Sequence, residues 1–198
     1  MNRLLQRGWI PLGRIGRLPL RAHWTVPFAL LLFSGGRLAP GLWLGIVLVL
    51  LVHELGHALL VKRVGLVNLG IELTGFGGLC RFTGEVTPER RAIVAWGGVL
   101  GQLTLFVPAL LLDMLVGPWP SPWIADLVYA LIVPNAMLAG LNLLPIPPLD
   151  GADAWKLMGI WRARWSRRRR KPKASREPDR PQTLREALEE AEDAKRSQ

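Results

Sequence analysis

Cysteine and charge are both scarce in this sequence. Its 198 residues include a single cysteine, Cys80, which excludes an internal disulfide framework and a multi-cysteine zinc finger. Hydrophobic residues make up 50% of the chain and charged residues 20%, and 13 of the 25 lysines and arginines lie between Gly159 and Gln198. The preceding part of the chain is therefore too apolar for an ordinary soluble enzyme or a disordered protein.

Long apolar stretches define four segments, at residues 22–36, 41–61, 92–112 and 123–144. The last three have about the 20 residues that a membrane-spanning helix needs. The first has 15 residues, which is short for a spanning helix. The long side chains of the arginines that flank it could extend to the membrane interfaces and so allow a short segment to span. Its alternative is the apolar region of a signal peptide, although no small-x-small cleavage site follows. We expect an all-α polytopic membrane protein with four spanning helices and a membrane-embedded domain over residues 1–158.

Lysine and arginine are absent from the connection between Asp113 and Pro122, which predicts that this connection lies outside the cell. Five arginines precede the first apolar segment, and further basic residues follow the second and the fourth. Since basic residues near spans favour the cytoplasm, four crossings place both termini there. The expected localisation is a multi-pass protein of the cell (inner) membrane.

A different pattern separates the second and third spans, over about residues 67–88. Two short β-prone runs, Ile71-Glu-Leu-Thr74 and Leu79-Cys-Arg-Phe-Thr83, are joined by the glycine-rich stretch Gly75-Phe-Gly-Gly78. This pattern predicts a β-hairpin with a glycine turn. The alternative is a plain cytoplasmic loop.

The last segment, residues 159–198, reads as a basic cytoplasmic tail. Its cluster from Arg167 to Lys173 is explained best by anionic lipid headgroups and by the topology rule. A net charge of +10 would also suit nucleic-acid binding, but nothing else in the sequence supports that partner. After a linker-like stretch, Thr183 opens a capping box and a short charged helix.

Ionisable residues inside a span are costly, so each is a candidate functional residue. The second span contains His53-Glu-Leu-Gly-His57. On a helix the two histidines lie about one turn apart on the same side, where both can bind one zinc ion. Glu54 lies beside them and is placed to act as the general base on a zinc-bound water. The alternative is a buried polar cluster that only holds helices together.

A catalytic zinc site usually has three protein ligands and one open position. His23 lies near the interface, Cys80 is more typical of a small buried hydrophobe, and Asp113 and Asp126 belong to the external face. Asp150 fits best, because it follows the fourth span on the cytoplasmic side. The topology, assigned from lysine and arginine alone, puts it at a depth similar to that of the two histidines.

Three prolines lie just before this aspartate, Pro145, Pro147 and Pro148. They cannot continue a helix, so the fourth span is expected to unwind there. Irregular backbone at membrane depth is tolerated where protein buries it or where it lines a watery cavity. Hydrolysis requires such a cavity.

His-Glu-Leu-Gly-His at residues 53–57, with Asn-Leu-Leu-Pro-Ile-Pro-Pro-Leu-Asp-Gly at residues 142–151, resembles the site-2 protease family of intramembrane zinc metalloproteases. The resemblance covers about residues 16–157. It implies a core of three spans, here the second to the fourth. It also implies one zinc ion per chain, held by His53, His57 and Asp150, with Glu54 as the catalytic acid and base.

The same resemblance implies further properties. Asn142 matches an asparagine that assists by hydrogen-bonding the substrate or the oxyanion, although an interhelical hydrogen bond would also explain it. The glycine hairpin resembles a membrane-associated β-loop that offers an edge to an extended substrate. The expected substrate is a transmembrane protein, such as an anti-sigma factor or another membrane-tethered regulator.

Some features depart from the family pattern. Gly97-Gly-Val-Leu-Gly-Gln102 stands where relatives often carry an Ala-Gly-Pro-like stretch followed by asparagine. No PDZ or CBS domain is visible, which predicts a compact form. Two rival functions stay open: an inactive scaffold or regulator of the same family, and a small metal transporter. A transporter would spread polar groups across the membrane depth, whereas here they collect near one side.

Overall fold

A computed structural model describes residues 8–169 and 184–197. These residues fall into two compact units, one ending at Ile160 and the other beginning at Trp161. The strands are β1 (Trp9–Ile15), β2 (Leu18–His23), β3 (Val67–Thr74) and β4 (Gly77–Thr83). The helices are α1 (Thr25–Phe33), α2 (Pro40–Arg63), α3 (Pro88–Val116), α4 (Pro122–Asn142), α5 (Gly151–Ala154), α6 (Lys156–Arg169) and α7 (Leu184–Arg196).

Three helices in the described part of the chain, α2, α3 and α4, are long and apolar enough to cross a membrane. They contain 24, 29 and 21 residues, whereas a bilayer's hydrocarbon core needs about 20. They correspond to the segments predicted at 41–61, 92–112 and 123–144. Helix α3 begins earlier than expected because Thr87 caps it, its Oγ1 accepting a hydrogen bond from Arg90 N at 3.2 Å. Helix α4 ends at Asn142, so it stops before the three prolines, as predicted.

The prediction that residues 22–36 form a single membrane-spanning helix is wrong. Residues 22–23 belong to strand β2, and helix α1 has nine residues, about 14 Å of length against a hydrocarbon core of about 30 Å. Beyond α1, Ser34 Oγ accepts a hydrogen bond from Trp43 Nε1 in the first turn of α2, at 3.2 Å. The segment therefore connects the sheet to the start of α2 as a strand followed by a short helix.

The all-α expectation is also incomplete, because the four strands form one sheet in the order β1-β2-β3-β4. Strands β1 and β2 pair antiparallel, β2 and β3 pair parallel, and β3 and β4 form the antiparallel hairpin. Parallel neighbours need a crossover connection, and α1 followed by α2 supplies it. The N-terminal strands consequently lie at the same end of α2 as the hairpin.

One face of the sheet packs on the helices. Ile71 and Leu73 are almost fully buried, and they form a core with Val61 of α2 and Val94 of α3. The hairpin turn is Gly75-Phe76, and a Cβ atom at Gly75 would lie 2.6 Å from the Thr25 carbonyl oxygen. The glycine thus lets the turn contact the start of α1, while residues 84–87 lead out of the sheet into α3.

The opposite face of the sheet carries a charged cluster. Glu72 of β3 accepts hydrogen bonds from Arg21 of β2 and from Arg81 of β4, the latter at 2.9 Å. Burial alone would raise the pKa of the Glu72 carboxyl, but the two guanidinium groups outweigh it and hold that pKa below its ordinary value. The cluster ties three strands together.

Helices α2 and α3 approach closely because glycines face each other. A Cβ atom at Gly97 would lie 2.5 Å from the Gly56 carbonyl oxygen, and one at Gly101 would lie 2.5 Å from the Val52 carbonyl oxygen. The spacing of Gly97 and Gly101 predicts such helix packing, and this prediction is confirmed. Any larger side chain here would push α3 away from α2, the helix that carries His53, Glu54 and His57.

The second unit contains the helical part of the basic tail. Helix α7 agrees with the predicted short charged helix, beginning one residue after Thr183. Trp161 and Trp165 of α6 are exposed. Residues 170–173 of the basic cluster and the predicted linker lie outside the described residues.

Substituting Gly97 by alanine is expected to lower the stability of the protein by about 1–3 kcal/mol, because overpacking forces the backbones of α2 and α3 apart. The matched control is Gly140→Ala in α4, where a Cβ atom meets nothing within 4 Å. That control should be neutral or stabilising by about 0.5–1 kcal/mol, because alanine favours the helix. Thermal unfolding in mild detergent measures both. Equal stability of the two variants would contradict the packing.

Acidification is expected to weaken the sheet through Glu72. Its pKa is lowered in the folded protein, so its stabilisation is complete above the unfolded pKa of about 4.3 and is lost as the pH falls through the folded pKa. Wild type and Glu72→Gln should therefore differ in melting temperature at pH 6 and converge toward pH 3. A constant difference across this range would show that the Glu72 charge does not contribute.

Candidate metal centre

Two histidines of α2 provide the first half of the site. His53 and His57 are one turn apart and only 5% and 7% exposed. Their Nε2 atoms lie 3.1 Å from each other. Position 98 of α3 must be glycine for this, since a Cβ atom at Gly98 would lie 2.2 Å from the His53 ring. The close helix packing therefore sets the position of the His53 ring.

Asp150 completes the group from the unwound chain after α4. Its Oδ2 atom lies 3.2 Å from Nε2 of each histidine. The chain folds back tightly here: a Cβ atom at position 151 would lie 2.3 Å from the Leu143 carbonyl oxygen, and glycine avoids this clash. Burial would raise the pKa of Asp150, but its contacts with the two imidazoles outweigh burial and hold the pKa well below its ordinary value.

The three side chains fit a zinc ion. In a tetrahedral site with bonds of about 2.0–2.1 Å, ligand atoms lie about 3.3–3.4 Å from one another. The separations of 3.1–3.2 Å among the three atoms are close to this value. Within residues 8–169 and 184–197, His53, His57 and Asp150 are the one group of at least three potential ligands so placed. Two imidazoles and one carboxylate are also a set that zinc accepts.

Glu54 lies beside this group and is 3% exposed. Its carboxylate packs against strand β4, where a Cβ atom at Gly78 would lie 2.3 Å from Glu54 Oε1. The backbone of Cys80, also in β4, lies near the same carboxylate. Glycine at position 78 thus allows the sheet to approach the carboxylate, and a cavity of about 570 Å³ opens between β4, α2 and the segment around Asp150.

Asn142, the last residue of α4, lines the same cavity. Its Nδ2 atom lies 3.4 Å from His53 Nε2. All five residues singled out in the sequence are therefore brought to one place. Of the other candidates, His23 lies away from this cavity, buried at the end of β2 between Trp9 and Trp24.

Cys80 faces the cavity without joining the ligand group. It is buried in the core between the sheet and the helices, and its Sγ is 3.7 Å from Asn68 Oδ1. Burial, and secondly the nearby Glu54 charge, raise the pKa of the thiol to about 12. The thiol therefore stays protonated at neutral pH, as expected of a small buried hydrophobe.

Each histidine has a second hydrogen-bond partner on its other ring nitrogen. His57 Nδ1 contacts the Val94 carbonyl oxygen at 2.8 Å, and His53 Nδ1 contacts Gln102 Oε1 at 3.0 Å. In the sequence, Gln102 stands out only as a departure from a family pattern, and nothing near it in the chain indicates its partner. A polar side chain within an otherwise apolar span was the feature that could have identified it.

A second cavity of about 450 Å³ adjoins the first. Its lining is almost entirely apolar and comes from α1, α2, α4 and the hairpin turn. The two cavities share several lining residues, among them Leu50, Phe76, Leu138 and Leu141. Phe76 is 95% exposed at the tip of the hairpin. An apolar groove thus leads to the ligand group from the region of the spanning helices.

Several known proteins are similar in sequence. Rip3 of Mycobacterium tuberculosis, provisionally named a zinc metalloprotease, is 33% identical over 176 residues, which cover 79% of this chain and 44% of Rip3. Zinc metalloprotease MJ0392 of Methanocaldococcus jannaschii is 28% identical over 72% of this chain and 43% of its own length. The chain thus spans less than half the length of these curated relatives. No protein-family model matches the sequence.

The fold has a solved counterpart. The site-2 protease from Methanocaldococcus jannaschii superposes with a TM-score of 0.58 over 80% of this chain and 72% of that structure, at 23% sequence identity. At this sequence identity the similarity establishes only the fold. The relatives found by sequence are also named zinc metalloproteases. This chain has the fold of a site-2 protease and is similar in sequence to proteins named zinc metalloproteases. It belongs to the site-2 protease family.

Proposed function

We propose that this chain is an intramembrane zinc endopeptidase that binds one zinc ion and cleaves transmembrane or membrane-anchored proteins. The observation that carries the proposal is the ligand group: three atoms from His53, His57 and Asp150 within 3.2 Å of one another, with the buried Glu54 beside them. The group lies among helices that are apolar enough to cross a membrane, where such side chains are retained for a function.

Zinc, when bound, lowers the pKa of a coordinated water toward about 7 and polarises the scissile carbonyl. The residues of the chain would do the rest. Glu54 accepts one proton from the attacking water and transfers it to the leaving nitrogen as the C–N bond breaks. Its buried position against β4 keeps bulk water from competing for that proton.

Asn142 has a separate proposed role. Its amide, 3.4 Å from His53 Nε2, lies at the edge of the ligand group and can donate a hydrogen bond toward a substrate carbonyl bound there. A donor aimed at the developing negative charge stabilises the transition state more than the ground state. Asn142 would therefore affect turnover more than metal binding.

The substrate would reach the site from the membrane. The apolar groove between α1, α2 and α4 suits a hydrophobic segment, and it opens into the cavity that holds the ligand group. Strand β4 is at one end of the sheet order, and its residues from Gly78 to Cys80 lie beside Glu54. An unwound substrate segment could pair with this strand, main chain to main chain, and present its peptide bond to the carboxylate.

The orientation follows from charge. The sheet, the end of α2 and the segment around Asp150 share one end of the helical group, and basic residues such as Arg21, Arg81 and Lys62 are concentrated there. The connection from Asp113 to Pro122 at the other end has no lysine or arginine. By the positive-inside rule the site would face the cytoplasm, with both termini on that side. The basic tail would contact anionic headgroups.

Replacing Glu54 by glutamine is expected to lower cleavage by about 10²–10⁴-fold, because the neutral amide cannot accept the proton. Zinc content should stay unchanged, since Glu54 is not a ligand in the proposed site. The measurement compares proteolysis of a panel of purified single-span membrane proteins in detergent with metal analysis of the same samples.

The matched control is Glu72→Gln, the same substitution on the outer face of the sheet. It should cleave like the wild type at neutral pH. Substantial cleavage by Glu54→Gln would refute the proposed mechanism. Wild-type protein that contains zinc but cleaves nothing in the panel would favour a scaffold role.

A further inference from the structure

Two buried amide side chains lie behind the ligand group, in the middle of helices α3 and α4. Gln102 and Asn135 are each only 1% exposed. A buried amide is costly unless it is hydrogen-bonded. The hydrogen-bond partners of Gln102 and Asn135 therefore indicate the role of the two side chains. One of those partners is His53, whose Nδ1 atom lies 3.0 Å from Gln102 Oε1.

The hydrogen bonds of Gln102 can be assigned a direction. Its Nε2 atom lies 3.4 Å from the Asn135 carbonyl oxygen, and a carbonyl oxygen can only accept. The NH₂ end of Gln102 therefore faces α4, which leaves the amide oxygen facing His53. The Asn135 side chain returns the contact by donating to the Gln102 carbonyl oxygen at 3.2 Å and to the Leu131 carbonyl oxygen at 3.0 Å.

This direction determines which nitrogen of His53 carries the proton. Because Gln102 Oε1 only accepts, the Nδ1 atom must be the protonated one, and Nε2 keeps its lone pair. That Nε2 atom is the one directed at His57 and Asp150. His57 is held in the same way, but by the backbone carbonyl of Val94 at 2.8 Å. One histidine thus relies on the main chain, and the other on a side chain that a substitution can remove.

We propose that Gln102 is a positioning residue, which fixes the tautomer and the ring orientation of His53 so that Nε2 can bind the metal ion. The proposal rests on the proposed function, since it takes the ion to be held by His53. Partners of this kind typically change metal affinity by about 10–100-fold when they are removed. Asn135 acts one step further out: its carbonyl oxygen holds the amide end of Gln102.

A simpler role would be a polar contact that holds α3 and α4 together. The two roles differ in what each variant does. Gln102→Met removes the acceptor and keeps the length of the side chain, whereas Gln102→Glu keeps an acceptor oxygen for Nδ1–H. Asn135→Leu removes the one side-chain hydrogen bond that Asn135 donates to α3, at the Gln102 carbonyl oxygen. It keeps the Asn135 carbonyl oxygen, so the contact between Gln102 and His53 survives.

The test measures zinc affinity by competition with a chelator, and the absorption spectrum of the Co²⁺-substituted protein, for wild type and the three variants in mild detergent. We expect Gln102→Met to bind zinc about 10–100-fold more weakly and to show an altered Co²⁺ spectrum. Gln102→Glu and Asn135→Leu should bind zinc with affinities close to that of the wild type. Asn135→Leu should instead lower the melting temperature.

Unchanged affinity in Gln102→Met would overturn the positioning role while leaving the proposed zinc site intact. So would an equal loss of affinity in Asn135→Leu, because helix packing would then explain both. If Gln102→Met does not fold, Gln102→Asn replaces it, since the shorter amide cannot reach Nδ1 and should weaken binding similarly. A wild-type protein without zinc affinity would refute the proposed function itself.

Discussion

Ionisable side chains placed among apolar helices must find partners, and this requirement shapes the whole structure. His53, Glu54 and His57 are buried on a helix long and apolar enough to span a membrane. An unpaired charge there would cost several kcal/mol. The surrounding chain approaches them from three directions: Asp150 from beyond α4, the Val94 carbonyl and Gln102 from α3, and strand β4 beside Glu54.

Glycines make this arrangement sterically possible. Gly98 leaves room for the His53 ring, Gly78 leaves room for Glu54, and Gly56 and Gly97 let α2 and α3 approach backbone to backbone. The parallel pairing of β2 with β3 then requires a crossover, which α1 and α2 provide. The same sheet delivers strand β4 to the carboxylate, so the N-terminal strands support the proposed catalytic site although they contribute none of its residues.

The parts of the site that follow local rules could be predicted from the sequence. Two histidines four residues apart on a helix face the same side, and prolines end a helix. The distribution of lysine and arginine along the chain predicts that Asp150 lies on the same side of the membrane as the histidines. The β1–β2 hairpin could not be predicted so directly, because its apolar residues are interrupted by arginine, proline and glycine and its pairing with β3 bridges about 50 residues. For the same reason the segment 22–36 was predicted as one helix: its first residues pair with a distant strand. Gln102 was missed because its partner lies 49 positions away.

Zinc-edge X-ray absorption of the purified, zinc-loaded protein tests the central claim most directly. The account predicts one zinc ion per chain with two imidazoles and only nitrogen or oxygen ligands, at about 2.0–2.1 Å. The imidazole signal should fall in His57→Ala. A sulfur ligand at about 2.3 Å, which only Cys80 or a methionine could provide, or folded protein that retains no zinc, would contradict the site formed by His53, His57 and Asp150.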